Sequence, residues 1–275
     1  IYKAVLDLDS ISDQIKTPVN SIHSVFVDGR YMIPAMPTNF KNPTDPTTGN
    51  PKNPEPGTVW EKKLQSPTVS PEKVDPLGYM PGNIAYLDTL EEWSFNPDNN
   101  TLYLYASNNY IPTSTNVRVR VRDRFLSFQA ADNIEFKNLH FFAGSFSFQG
   151  CSYLTIEDCK FSFSSDVGLA GNSIVYGKNT TVRNSIFEYT NDGQSWSQQR
   201  TIYPTVENVL FRYNDWFRGS GLYATTDRNY RNTKHNPDFF RGDSHWRYVT
   251  IENSYTAGVF AGYGSLVEYS RFENL

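Results

Sequence analysis

Three acidic residues in the middle of the chain have the types and spacing that hydrolysis of a glycosidic bond requires. Asp166 lies eight residues after Asp158, Asp192 lies eight residues after Asn184, and Glu188 lies four residues after Asn184. That reaction needs one protonated carboxyl and one ionised carboxylate, about 5 to 9.5 Å apart. The spacing therefore indicates a carboxylate cluster, provided that the segments around Asp158 and Asn184 stack on each other.

Within this cluster we predict that Asp166 is the nucleophile or base and that Glu188 is the proton donor, with Asp192 as a competitor for either role. Repulsion between neighbouring carboxylates raises the pKa of one of them, which produces the required acid. The alternative is that Asp166 and Asp192, each followed closely by a glycine, are turn residues that satisfy local backbone groups.

Aromatic and polar residues further along the chain are the predicted sugar contacts, because sugars bind flat apolar side chains through their C–H groups and polar side chains through their hydroxyls. Trp216 is the strongest candidate, since it lies eight residues after Asn208. The full set of predicted substrate-binding residues is Trp196, Trp216, Arg218, Tyr223, His235, Arg241, His245 and Trp246. For each aromatic residue, burial in the core is the alternative.

Two other functions compete with hydrolysis. A polysaccharide lyase would use Lys234 or His235 as the base and Arg218 or Arg241 to neutralise a uronate. No Asn/Glu/Glu grouping indicates a calcium site, so we predict no cofactor and no metal, with Ca²⁺ considered only for a lyase. A non-catalytic adhesin or carbohydrate-binding protein would instead have its carboxylates dispersed or salt-bridged.

An internal repeat must position these residues. Six segments each contain a short strand, a bend residue and, in most cases, a Phe three residues later, and their bend residues are Asn138, Asp158, Asn184, Asn208, Asn253 and Tyr269. Asn and Asp tolerate the left-handed backbone of a tight corner. Such a repeat predicts an all-β chain folded as a right-handed parallel β-helix.

The repeat also predicts two core columns. Before the bend the inward residues are Phe136, Ile156, Val182, Val206, Ile251 and Val267. After the bend they are Phe141, Phe161, Phe187, Phe211 and Phe272.

The N-terminal part differs from the repeat. Residues 36 to 82 hold most of the prolines and predict an extended surface loop. A strand over 21–27 precedes an Asp28-Gly29 turn, and residues 92–95 and 101–105 predict a hairpin. We expect a β-sandwich-like domain over residues 1–115 and a β-helix over residues 116–275.

The segments Val25-Phe-Val-Asp-Gly29, Glu92-Trp-Ser-Phe95 and Asn133-Ile-Glu-Phe136, in this order, resemble a group of carbohydrate-active β-helix proteins with a β-sandwich inserted near the start of the helix. The group comprises β-xylosidase-like and fucosidase- or xylanase-like glycoside hydrolases and, more remotely, β-helix polysaccharide lyases. The resemblance implies a polysaccharide or oligosaccharide ligand and a secreted or periplasmic protein.

Composition and hydropathy argue against nucleic acid and membrane as partners. The 275 residues carry a net charge of −4 with scattered basic residues, which argues against nucleic acid. No segment has the roughly 20 consecutive apolar residues of a membrane span. The last repeat runs to Leu275 without a cap, so we expect further C-terminal coils or another subunit to cover the helix.

Overall fold

The structure is a computed structural model, and it describes residues 1–15, 22–35, 84, 87–88, 90–106, 111–122, 124–164, 171–190, 196–199, 201–214, 225–228, 243–254 and 265–273. The regular secondary structure of the described part is almost entirely strand, and the helix it contains is α1, Leu8–Ile15. None of the helices in these ranges is long and apolar enough to span a membrane. The chain divides into two compact units, Ile1–Arg122 and Asp123–Leu275.

The N-terminal unit contains one six-stranded sheet, in the order β1-β5-β4-β3-β2-β6. Its strands are β1 Tyr2–Val5, β2 Ser24–Val27, β3 Arg30–Pro34, β4 Glu92–Asn96, β5 Thr101–Tyr105 and β6 Val117–Arg120. All neighbouring pairs are antiparallel except β3 with β4. We expected a sandwich-like domain, and the described strands form this single sheet.

The predicted Asp28-Gly29 turn and the predicted hairpin over residues 92–105 are confirmed. Strands β2 and β3 pair through a turn in which Asp28 and Gly29 have positive φ, as a tight hairpin turn requires. Strands β4 and β5 pair over the predicted residues. Strand β6 pairs with β2, and the N-terminal unit extends to Arg122. The predicted proline-rich loop lies outside the described residues.

The C-terminal unit is a solenoid of parallel strands, which confirms the parallel β-helix. One face is a five-stranded sheet, here the first face: β7 Arg124–Gln129, β10 Ser145–Gln149, β13 Asn172–Val175, β15 Trp196–Gln199 and β17 Thr225–Arg228. The other ten strands form one continuous sheet that bends into a second and a third face.

The long strands β14 Thr181–Glu188 and β16 Thr205–Arg212 run through both of these faces. The second face also contains β8 Glu135–Lys137, β11 Thr155–Glu157, β18 His245–Arg247 and β20 Leu266–Glu268. The third face also contains β9 His140–Phe142, β12 Lys160–Ser162, β19 Thr250–Glu252 and β21 Arg271–Glu273.

Stacked phenylalanines fill the interior behind the third face. The rings of Phe141, Phe161, Phe187 and Phe211 follow one another with centroids 4.8, 4.7 and 5.1 Å apart. This spacing is that of neighbouring strands, about 4.8 Å, so each coil contributes one ring. The predicted Phe column is therefore confirmed for these four residues, while Phe272 pairs in register with Ile251 and is 42% exposed.

The other predicted column needs one correction. Val206 pairs in register with Trp246, whereas Ile251 pairs with Phe211 and belongs to the Phe column. The corresponding bend residue is Tyr248, with φ 54°, and Asn253 occupies the next corner. The two corners lie five residues apart and have the same inward and outward alternation. In the sequence pattern, Ile251 can therefore be read either as the inward residue before a bend or as the inward residue after one.

Single residues in left-handed backbone form the corners. The residues at the corner between the second and third faces have φ values of 51° to 55°; they are Asn138, Asp158, Asn184, Asn208, Tyr248 and Tyr269. Asn and Asp hold this conformation at lower cost than other non-glycine residues. At this corner Asn208 Nδ2 donates to Asn184 Oδ1 at 2.9 Å, which ties two coils together.

Candidate functional site

The structure describes only part of the predicted site. Glu188, Trp196, His245 and Trp246 lie within the described residues. The remaining predicted residues lie outside them: Asp166, Asp192, Trp216, Arg218, Tyr223, His235 and Arg241, together with the alternative base Lys234.

Both described tryptophans are core residues, so the prediction that they form sugar platforms is corrected. Trp196 is 1% exposed and packs edge-on against Phe146 and Phe187, and Trp246 is 0% exposed beside Phe211. Their large rings fill the interior between the faces, where no ligand can stack on them.

His245 lies on the outer surface of the second face. Its Nε2 is 2.8 Å from Oε1 of Glu268 on the next coil, and it pairs in register with Thr205. Glu188 ends strand β14 on the third face. The structure therefore places these two predicted residues on different faces of the solenoid.

Glu188 is buried and fully engaged with neighbouring coils. Its Oε1 lies 2.6 Å from Lys160 Nζ and accepts from Ser162 Oγ at 3.0 Å. Its Oε2 accepts from Arg212 Nε and Nη2 at 2.9 and 2.8 Å. Ser162 and Arg212 are the register partners of Glu188 on either side, so one carboxylate joins three coils.

These contacts decide the protonation of Glu188. Burial raises the pKa of the carboxyl, but the hydrogen bonds from Lys160, Arg212 and Ser162 outweigh burial, and the pKa lies below its ordinary value. The predicted proton donor would need a raised pKa. The role of Glu188 as proton donor is therefore corrected: it is an ionised, salt-bridged group with 2% of its surface exposed.

A groove opens on the outer surface next to this cluster. It has a volume of about 410 Å³ and follows the corner between the second and third faces. Its lining residues are Asn184, Ser185, Ile186, Asn208, Val209, Leu210, Tyr248, Thr250, Glu252 and Arg271. We call it the corner groove.

The third face supplies the apolar floor of the corner groove. Ile186, Leu210 and Thr250 are register partners on successive coils, and their side chains point outward because the Phe column occupies the alternate, inward positions. Apolar side chains are therefore stacked on an outer surface, where a ligand can reach them.

Polar and aromatic groups border this floor. Tyr248 is 52% exposed, and its ring stacks on Tyr269 with centroids 5.4 Å apart. Arg271 Nη2 donates to Glu252 Oε2 at 3.1 Å, and the Arg271 side chain is 62% exposed. The hydrogen-bonded Asn184 and Asn208 complete the border.

Residue types alone do not predict the corner groove, because its lining consists mainly of bend residues and outward positions in a repeat. The signal was present at position 248, where an aromatic residue replaces the Asn or Asp of the earlier bends. Because Asn253 also fits the bend position of the repeat, the sequence pattern does not single out Tyr248 as the bend residue.

Metal binding has no support in the described residues. In those ranges no group of three or more His, Cys, Asp and Glu side chains could hold an ion. Cys151 and Cys159 are buried free thiols, and burial raises the pKa of Cys159.

Comparison with known proteins adds no family. No protein-family model matches the chain, and no curated protein matches its sequence. The parallel solenoid agrees with the β-helix that the resemblance implied, whereas the described N-terminal strands form one sheet rather than a sandwich.

Proposed function

We propose that this protein is a carbohydrate-active β-helix that binds a saccharide in the corner groove. The observation that carries the proposal is the combination of an exposed Tyr248 with an outward-facing apolar floor and hydrogen-bonding groups at its border. Ligand sites typically occupy roughly 300 to 1,000 Å³ and combine apolar walls with a few placed polar groups.

Each part of the corner groove matches a part of a sugar ring. Ile186 and Leu210 offer apolar surface to C–H groups. Tyr269 stacks on the Tyr248 ring and the Arg247 guanidinium lies 5.9 Å from its centroid, yet Tyr248 stays 52% exposed and offers aromatic surface for stacking. The amides of Asn184 and Asn208 and the Arg271–Glu252 pair offer donors and acceptors for hydroxyl groups.

Glycoside hydrolysis is the reaction that we propose for the bound sugar, and it requires a carboxylate pair. Among the lining residues of the corner groove, Glu252 is a carboxylate, and Arg271 engages it. Glu188 is occupied by Lys160 and Arg212. We therefore propose Asp166 and Asp192 as the pair, because each lies eight residues after a bend residue in successive repeats.

Binding without catalysis is the second candidate, and a specific observation favours it. A non-catalytic β-helix predicts salt-bridged carboxylates, and Glu188 is salt-bridged to two cations. Both candidates share the corner groove and differ only in whether the bound saccharide is cleaved.

A matched pair of variants tests the binding site. Tyr248→Ala removes the aromatic wall, and Tyr203→Ala removes a tyrosine of the same exposure, 51% against 52%, from a corner residue with the same left-handed backbone. Titration calorimetry with neutral and acidic oligosaccharides should show affinity lost in Tyr248→Ala and kept in Tyr203→Ala. Equal losses in both variants, or binding in neither the variants nor the parent chain, would refute the site.

Cleavage is measured separately, through new reducing ends and through absorbance at 235 nm, which reports the unsaturated product of a lyase. The hydrolase proposal expects reducing ends without absorbance, abolished by Asp166→Asn or Asp192→Asn and retained in part by Glu188→Gln. Absorbance at 235 nm would transfer the reaction to the lyase alternative. Binding without either signal would leave the non-catalytic function.

A further inference from the structure

Two cations beside the corner groove share a single buried carboxylate. Lys160 and Arg212 bind the two oxygens of Glu188 at 2.6 and 2.8 Å, and their side chains are 39% and 31% exposed. This group of three residues therefore carries one positive charge in excess. His140 on the preceding coil is the register partner of Lys160, and its Nε2 lies 3.1 Å from Ser162 Oγ. A histidine carries no negative charge, so it does not offset the excess positive charge of this group.

The pair retains hydrogen-bonding capacity toward solvent. An ammonium group has three N–H donors and a guanidinium has five. Glu188 takes one contact from Lys160 and two from Arg212. Because both cations are held against the same carboxylate, they repel each other, and an additional anion at this position would reduce that repulsion.

The cationic pair continues the floor of the corner groove. Lys160 is the register partner of Ile186, so it lies one coil further along the same outer row. Arg212 is the register partner of Glu252, which lines the groove. A saccharide that extends along the solenoid axis from the apolar floor would reach Lys160 within one strand spacing, about 4.8 Å.

The opposite end of the groove has the reverse charge. Arg271 lies 3.1 Å from Glu252 and 3.5 Å from Glu273, so two carboxylates surround one cation there. The charges of the third face thus run from an excess positive charge at Lys160 and Arg212 to an excess negative charge at Arg271. An anionic substituent is favoured at the first end and disfavoured at the second.

We infer that the saccharide is acidic, with a carboxylate or sulfate placed against Lys160 and Arg212 while an adjoining sugar occupies the corner groove. The inference rests on the proposed binding function and specifies its substrate class and its direction along the solenoid. Lys160 and Arg212 determine specificity, and Glu188 is a positioning residue that holds them.

The test compares saccharides that differ only in charge. The 275-residue chain is titrated with a hexamer of galacturonic acid and with its fully methyl-esterified form, and with a sulfated oligosaccharide and its desulfated form. The acidic member of one pair should bind about tenfold more tightly, the gain expected from one charge-assisted hydrogen bond. Raising the salt concentration should reduce that preference, and whichever pair shows the preference identifies the anion.

Lys160→Gln should remove the preference for the acidic form. Lys137→Gln is the matched control, because that lysine is similarly exposed and ion-paired with Glu135 and Glu157 on the second face, and it should change neither affinity. Thermal unfolding of both variants verifies that they fold.

The outcomes separate the two proposals. If acidic and neutral forms bind equally, or if Lys160→Gln and Lys137→Gln reduce the preference alike, the acidic substrate is overturned while the binding function stands. If no saccharide binds the parent chain, the binding function fails as well. A preference for the acidic form that is specific to Lys160 supports both.

Discussion

Lys160 reaches across to the next coil and places its Nζ 2.6 Å from Oε1 of Glu188. The two residues lie on β12 and β14, which are paired in parallel. Arg212, from the coil beyond, binds the other carboxylate oxygen, so Glu188 links three successive coils across the third face. The cluster is therefore a cross-coil connection as well as a candidate recognition element.

We predict that Glu188→Gln lowers the free energy of unfolding by about 1 to 3 kcal/mol, since it removes a buried charge that satisfies two cations. This loss of stability is smaller than the loss on breaking a fully buried ion pair, because the partly exposed Lys160 and Arg212 can turn toward water. Denaturant unfolding measures it. Glu207→Gln is the control: its pair with Arg247 is more exposed, and we expect a loss of at most about 1 kcal/mol.

The Glu188 contribution should depend on pH. Its pKa is lower in the folded protein than in the unfolded chain, so the stabilisation is fully present above the ordinary glutamate pKa of about 4.3 and is lost as pH falls toward the lowered value. The stability difference between the parent chain and Glu188→Gln should therefore be constant near neutral pH and shrink in acid. A difference that grows as pH falls would contradict the assignment.

The Phe column should dominate the stability of the solenoid. Phe187 is 0% exposed and stacks between Phe161 and Phe211, so Phe187→Ala should cost about 3 to 5 kcal/mol by removing buried surface and leaving a cavity. Tyr153→Ala, at a 55% exposed corner, should change stability by less than about 1 kcal/mol. Comparable losses in the two variants would show that the column is not the core.

Asn208 tests the corner geometry. Its φ of 51° strains any residue with a Cβ, while its amide bonds to Asn184. Asn208→Gly loses only the amide contact, whereas Asn208→Ala loses the contact and adds left-handed strain, so the Ala variant should be less stable by about 1 to 2 kcal/mol. The order is read from denaturant midpoints, and an Ala variant more stable than the Gly variant would exclude left-handed backbone here.

The two thiols report on the packing of the solenoid. Cys151 and Cys159 are 0% and 2% exposed, and burial raises the pKa of the Cys159 thiol, so neither should react with an aromatic disulfide reagent in the native protein. Both should react after unfolding in denaturant. Rapid reaction of the native chain would show that this part of the core opens readily.

Much of the fold followed from local patterns in the sequence. The Asp28-Gly29 turn, the 92–105 hairpin and the Phe three residues after most bends are decided by residues close together in the chain, because backbone strain and side-chain alternation act locally. These patterns were sufficient to predict a parallel β-helix and the Phe column.

The order in which coils stack required the tertiary structure. From Phe136 to Val267 the register partners on the second face are separated by 20, 26, 24, 40 and 21 residues. With coils of unequal length and two similar corners five residues apart, the sequence fits Ile251 to either column. Packing selected Trp246 for the column before the bend, since its large ring fills the interior there.

The sequence by itself determined the inward and outward alternation around the Asn and Asp bends, because alternation and corner conformations are properties of short segments. Only the tertiary structure decided which outward residues become neighbours, since that depends on coils that are distant along the chain. Glu188 shows the difference: its type suggested an acid, and the lysine and arginine that stacking brought to it made it an ion-paired carboxylate. The corner groove arose in the same way, from outward side chains that share a surface only after the coils stack.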